Sequence, residues 1–189
     1  MSSNLYVFDF DKTLTYNDTI SGFYYELNKR NNAILKIIKR VILLKASILY
    51  KLKIISNDTL KIIGVRLFLK GLKKNEIERV ADAYSKLITL NKIYYEIFIN
   101  TPKKQRIISS ASFEVYLKYV FPDENVIGTT LNYKQGQVDS LKTNNYGTEK
   151  VNSIDEIFTI YTDSYSDKPL MDISKNVYMV KDDTIKKIK

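Results

Sequence analysis

The chain of 189 residues carries 30 Lys and Arg against 21 Asp and Glu, a formal net charge of +9, with 44% hydrophobic residues and neither cysteine nor histidine. That length fits one domain, or a core with a modest insertion, and is enough to bury a substantial apolar interior. Disulfides, thiolate chemistry and imidazole bases or ligands are excluded, so a bound metal must be held by oxygen, which favours Mg²⁺ over Zn²⁺. The positive charge suits an anionic partner: a phosphate ester, nucleic acid or an acidic membrane surface, of which a small phosphate is weighted most. The sequence enters its first strand with no basic and apolar leader, which reads as cytoplasmic.

Leu5-Tyr6-Val7-Phe8 is rich in β-branched and aromatic side chains and predicts one short buried strand. Asp9 then falls near its C-terminal end, where open α/β sheets place their ligands, and a chain turning away there can aim Asp9 and Asp11 into one crevice. Two like charges so close repel and call for a cation or an electropositive neighbour. The pair therefore predicts a metal ion.

From Tyr16 to about Asn100, Ile, Leu and Lys alternate at helical spacing with few turn residues, which predicts three or four helices. Asn17 or Asp18 is placed to cap the first and Asn57 or Asp58 the third, while Gly71 ends a run and Lys74-Asn75-Glu76 opens another. Ile34, Ile37, Ile38, Val41, Leu44, Ile48 and Leu49 share a broad apolar face, with Lys36, Arg40 and Lys51 opposite. Lysines interrupt every candidate span, which argues against a transmembrane helix. A basic amphipathic face can also lie on a membrane, but the expectation is one helix of a packed bundle.

Alternating strands and helices return from Lys103. Gln105 to Ser109 predicts a strand, and Ser110-Ala111-Ser112-Phe113-Glu114 a turn into a helix that ends near Val120, before Phe121-Pro122. Val126 to Val138 predicts two short strands joined around Lys134-Gln135-Gly136. Gly147-Thr148-Glu149-Lys150 opens a helix to about Glu156, Ile157 to Thr162 is a buried strand, and Asn176 to Val180 a last one. The fold class is α/β: a Rossmann-like, mostly parallel sheet formed by residues 1–15 and 101–189, with the helical bundle of residues 16–100 inserted as a cap.

Four signals thus fall in chain order at strand ends or helix starts: Asp9 with Asp11, Ser110, Lys150, and Asp163 with Asp167. Together with Val126-Ile127-Gly128-Thr129 and Tyr146-Gly147-Thr148-Glu149-Lys150-Val151, they make the sequence resemble the haloacid dehalogenase superfamily, in the subgroup that includes phosphoserine phosphatase. The resemblance runs through the whole core and weakens in the helical insertion, which resembles that family's small bundle cap.

The resemblance implies an Mg²⁺-dependent phosphatase. Asp9 would attack phosphorus to form an aspartyl phosphate, and Asp11 would protonate the leaving alcohol and later activate water. Related transporter ATPases carry threonine at the position of Asp11, so an aspartate there argues for hydrolysis of the intermediate. Mg²⁺ would be held by Asp9, the Asp11 backbone carbonyl and Asp163, and Asp167 would orient waters or Lys150. Ser110, preferred over Ser109 because Ser-Ala-Ser-Phe-Glu matches the family's run, and Lys150 would bind phosphate. Thr13 would shape the loop through its hydroxyl.

By the same resemblance Asp18 and Arg66 fall near the cap acid and cap arginine that read the substrate, one suited to an ammonium and the other to a carboxylate or another anion. Asp163-Ser164-Tyr165-Ser166-Asp167 lacks the usual glycine and asparagine of phosphoserine phosphatases. An amino-alcohol or phosphoserine-like phosphate leads as the substrate, with a sugar or polyol phosphate behind it. Two readings of another class are a basic nucleic-acid binder and a protein held on a membrane surface. Tyr and Lys are spread along the chain and no nucleic-acid motif is present, so a small phosphorylated metabolite is the expected partner, with neither nucleic acid nor membrane contact.

Overall fold

The computed structural model describes residues 4–152 and 154–189. Among them, seven strands form one sheet: β1 (Tyr6–Phe8), β2 (Arg106–Phe113), β3 (Val126–Lys134), β4 (Gln137–Thr143), β5 (Ile157–Thr162), β6 (Ser174–Lys181) and β7 (Thr184–Lys187). Their order is β4-β3-β2-β1-β5-β6-β7, so β1 is central and runs parallel to both β2 and β5. The outer pairs β3/β4 and β6/β7 are antiparallel hairpins. This is the mostly parallel α/β sheet that the sequence predicts, with β7 added.

Alternation along β1 sends Val7 and Phe8 to opposite faces. Val7 packs with Ile160, Val177, Leu170 and Met171, the last two from the short helix α7 (Lys168–Asp172). Phe8 stacks on Tyr161 at 4.8 Å and meets Phe98 edge-on at 5.1 Å. Phe98 belongs to the last of five helices that separate β1 from β2: α1 (Ile20–Asn28), α2 (Ala33–Lys51), α3 (Asn57–Phe68), α4 (Lys74–Ser85) and α5 (Lys92–Asn100). A continuous apolar cluster runs from Phe8 through Phe23 and Tyr24 of α1, Val65 and Phe68 of α3 and Ile77 of α4. It continues to Tyr116 on α6 (Glu114–Val120). The inserted helices therefore share one core with the sheet. Where the chain returns to the sheet, Arg106 caps the end of α5, donating to the carbonyls of Phe98, Ile99 and Thr101 while pairing with Glu124 at 2.5 Å.

Several local expectations change. Ser56, not Asn57 or Asp58, caps α3 by accepting from Thr59 N–H at 3.1 Å. Asn57 and Asp58 instead accept from the side-chain amide of Asn144. The N-cap of α1 is Thr19, and Asp18 accepts from Ile20 N–H one residue further in. β2 runs through Ser110 to Phe113, and its pairing with β3 shifts register between Ser109 and Phe113, so α6 starts only at Glu114. Gly128 allows that close approach, since a Cβ there would lie 2.9 Å from the backbone of Glu114 and Ser112. The helix expected from Gly147 is a single 3₁₀ turn, Gly147–Val151.

The largest correction concerns α2. The expectation of a packed bundle helix is not met, because its apolar face looks outward: Ile34, Ile37, Ile38, Val41, Leu44 and Ile48 are all exposed. Ala46 is the one residue of the helix that is fully buried, with Leu43, Ser47 and Tyr50 partly covered beside it. Hydrophobic periodicity reports that a helix has two faces, not which of them meets the protein.

Candidate active site

The loop that leaves β1 builds the centre of the site. Asp9 N–H donates to Tyr161 O at 2.9 Å, extending the β1/β5 pairing by one residue. The chain then curls through Phe10–Leu14, with Asp11 extended and Lys12 left-handed at φ 57°. Thr15 holds that curl, its hydroxyl donating to Phe10 O and accepting from Lys12 N–H. Thr13, expected to shape the loop, is buried, but its hydroxyl has no hydrogen-bond partner among the described residues.

Asp9 and Asp11 open into one cavity of about 600 Å³, which Ser110, Lys150 and Asp163 also line. Four stretches far apart in sequence thus meet at the C-terminal end of the central strands, where the topology concentrates ligands. Lys150 is buried, with Nζ 2.9 Å from Asp9 Oδ1 and 2.7 Å from Asp167 Oδ1. Burial favours loss of its proton, but the two carboxylates outweigh that and hold the ammonium charged. Asp167 lies behind Lys150 and accepts from Thr162 Oγ1 at 2.8 Å, so it acts on the lysine. Ser110 is fully buried in the irregular part of β2, where its Oγ accepts from Ser112 N–H at 3.0 Å. Ser109 lies deeper: its hydroxyl accepts from the Asn145 amide, which also donates to Ser110 O and Ile127 O. Ser110 reaches the cavity wall, and Ser109 is not part of it.

Asp11 has a different environment from Asp9. Its Oδ1 accepts from both the N–H and the hydroxyl of Thr19, each at 2.7 Å, and its Oδ2 accepts from Ser112 Oγ. Burial raises its carboxyl to about 6, with Asp18 adding to the effect and the three donors opposing it. Burial also pushes up Asp9, against the pull of Lys150, and Asp163, against the pull of Lys12.

A divalent cation would reverse the last two shifts, and the donors are of the right type. Asp9 and Asp163 offer carboxylate oxygens to the cavity, whereas the Asp11 carboxylate is already engaged by Thr19 and Ser112, leaving its backbone carbonyl. Among the described residues, no three His, Cys, Asp or Glu side chains are grouped as metal ligands. A cation here would therefore rest on two carboxylates with backbone and water oxygens, a set that suits Mg²⁺, which keeps several waters.

The two residues expected to read the substrate part company. Asp18 is exposed at the cavity. Arg66 is exposed on another face of α3, in a separate depression with Asp58, Lys70 and Glu149. From the cavity-facing side of that helix comes Lys61, unforeseen in the sequence, buried with Nζ donating to Ala111 O at 2.5 Å. Burial lowers it to about 8, while Asp11 and Asp18 act in the opposite sense. The roof is α2: Leu43, Ser47 and Tyr50 line the cavity, and the Tyr50 hydroxyl meets that of Tyr146 at 3.1 Å.

Fold and site together define an α/β protein with an aspartate-centred pocket. The haloacid dehalogenase-like hydrolase family matches residues 6–172, and the chain belongs to that family. No curated protein matches it at the level of sequence. Among solved structures, a protein of unknown function from Bordetella pertussis Tohama I is 15% identical with a TM-score of 0.77, over 91% of this chain and 87% of that one. Phosphoserine phosphatase from T. onnurineus is 15% identical with a TM-score of 0.63, over 93% and 82%. A phosphoserine phosphatase solved as a phospho-aspartyl intermediate analogue is 18% identical with a TM-score of 0.59, over 94% and 86%.

Proposed function

We propose that the protein is a phosphoric monoester hydrolase acting through an aspartyl-phosphate intermediate, with residues 16–100 as the cap over its pocket. The observation that carries this reading is the pairing of Asp9, hydrogen-bonded to a buried lysine, with Asp11, whose carboxyl is raised to about 6. One group is suited to bond formation and the other to proton transfer near neutral pH. With Oδ1 engaged by Lys150, Asp9 uses Oδ2 to attack phosphorus, and the bond to the leaving oxygen breaks as Asp11 gives that oxygen its proton. Asp11 then takes a proton from water, which attacks the phosphorus of the acyl phosphate and releases inorganic phosphate with Asp9 regenerated. Lys150 and the Ser110 hydroxyl stabilise the phosphoryl oxygens as charge shifts onto them. Mg²⁺ on Asp9 and Asp163, when bound, supplies further positive charge to those oxygens.

The substrate we infer is a small phosphate monoester carrying an amine, an acid or both. Asp18 suits an ammonium, and Lys61 suits an anion in the role first expected of Arg66. A sugar or polyol phosphate is the alternative, and kcat/KM across amine-bearing and polyol phosphates separates the two. The reading is tested with p-nitrophenyl phosphate: turnover requires Mg²⁺ and disappears with chelator or in Asp9→Asn. Folded protein without metal-dependent turnover on this ester or on a library of phosphate monoesters would refute it.

A further inference from the structure

α2 has one side on the catalytic cavity and the other side in solvent. Ile34, Ile37 and Leu44 on the outer side are 72%, 62% and 61% exposed, and the patch continues past the helix end to Leu52 and Ile54, at 64% and 65%. A contiguous apolar surface of this extent marks an interaction site. Its partner is indicated by charge. From Leu27 to Asn57 the chain contains no Asp or Glu, while Lys36, Lys39, Arg40, Lys45, Lys51 and Lys53 lie in or just beyond the helix. Arg40 and Lys53 are exposed beside the apolar face, and the four-carbon stem of Lys45, which projects within it, can carry its ammonium up to a polar layer. An apolar stripe rimmed by cations is the pattern of a helix that lies in the headgroup region of an anionic bilayer. A second copy of the chain fits poorly, since a two-fold interface would bring two such cationic rims together. No helix among the described residues is long and apolar enough to cross a membrane, so the contact is along the surface.

We propose that the outer face of α2 docks the protein on anionic lipid bilayers. The helix would then float on the headgroups with its inner side, Leu43, Ser47 and Tyr50, still roofing the cavity. Docking stands on the exposed face and its charge and does not depend on the phosphatase reading.

The test is co-sedimentation of the full chain with vesicles of phosphatidylglycerol and phosphatidylcholine, and with phosphatidylcholine alone. The expected result is binding to the anionic vesicles only, weakened at high salt and reduced at least tenfold in the triple variant Ile34→Glu, Ile37→Glu, Leu44→Glu. These side chains lie outside the cavity, and an unchanged thermal melt shows that the variant folds. If the triple variant does not fold, Ile37→Ser with Leu44→Ser replaces it, with the same loss expected. No binding of the native chain to anionic vesicles overturns the proposal. So does undiminished binding by a folded variant, or a dimer in light scattering that the substitutions dissolve while vesicles bind neither form.

Discussion

Lys150 Nζ lies 2.9 Å from Asp9 Oδ1, and both groups are buried at the floor of the cavity although 141 positions separate them in the chain. Among the described residues the lysine is the one cation paired with the proposed nucleophile, and Asp167 holds it in place from behind. Lys150→Met is expected to lower kcat by roughly 10²- to 10³-fold, the scale of a lost electrostatic stabiliser. Asp167→Asn, which leaves the lysine but loosens it, is expected to have a smaller effect on kcat. Steady-state kinetics with saturating Mg²⁺ checks both.

Asp11 carries an electrostatic cost that titration can expose. Its folded carboxyl titrates at about 6 against an ordinary 3.8, so the folded protein binds more protons than the unfolded chain between those values. The favourable contribution of the neutral acid is full below about pH 4 and is lost as pH rises through about 6. In chelator, Asp11→Asn is therefore expected to equal the native chain in stability at low pH and to exceed it by up to about 3 kcal/mol above pH 6. Urea unfolding at a series of pH values measures that difference and needs no activity from the variant.

Lys61 is expected to grip the anionic part of the substrate while it remains an ammonium. Since burial lowers it to about 8, KM should rise as pH passes that value. Lys61→Met is expected to raise KM several-fold at pH 7 and to remove that rise, with kcat changed less. Initial rates over a pH series for both proteins decide it.

Arg106 should matter for stability rather than chemistry. It satisfies three carbonyls at the end of α5 and pairs with Glu124, with little of either side chain exposed. Arg106→Met leaves the carboxylate and the carbonyls without their donor and is expected to cost about 3–5 kcal/mol. Chemical denaturation of the variant checks the value.

The site was legible where a role depends on the chain's immediate neighbours. Asp9 and Asp11 follow a strand that reads as one, and Lys150, Asp163 and Asp167 lie in or just after short motifs, so their order could be recognised without coordinates. Lys61 could not, because a lysine within a helix is indistinguishable from its solvated neighbours until α3 is laid against the bulge of β2. Arg66 was misplaced for the same reason: it shares a helix with Lys61 but not a face. Ser110, expected at a helix start, lines the cavity from within β2 instead, because the register shift that kinks this strand depends on Gly128 in the neighbouring one. The orientation of α2 was the hardest to read, since its period is equally compatible with burial and with an outward face.

Trapping the covalent intermediate would identify the residue that attacks phosphorus. The full chain is mixed with Mg²⁺ and a turned-over phosphate monoester, quenched in acid within one turnover, digested and analysed by mass spectrometry. The peptide containing Asp9 is expected to gain the mass of one phosphoryl group, and its Asp9→Asn counterpart to gain none. Turnover that leaves this peptide unmodified, with the phosphoryl group on another residue, would contradict it.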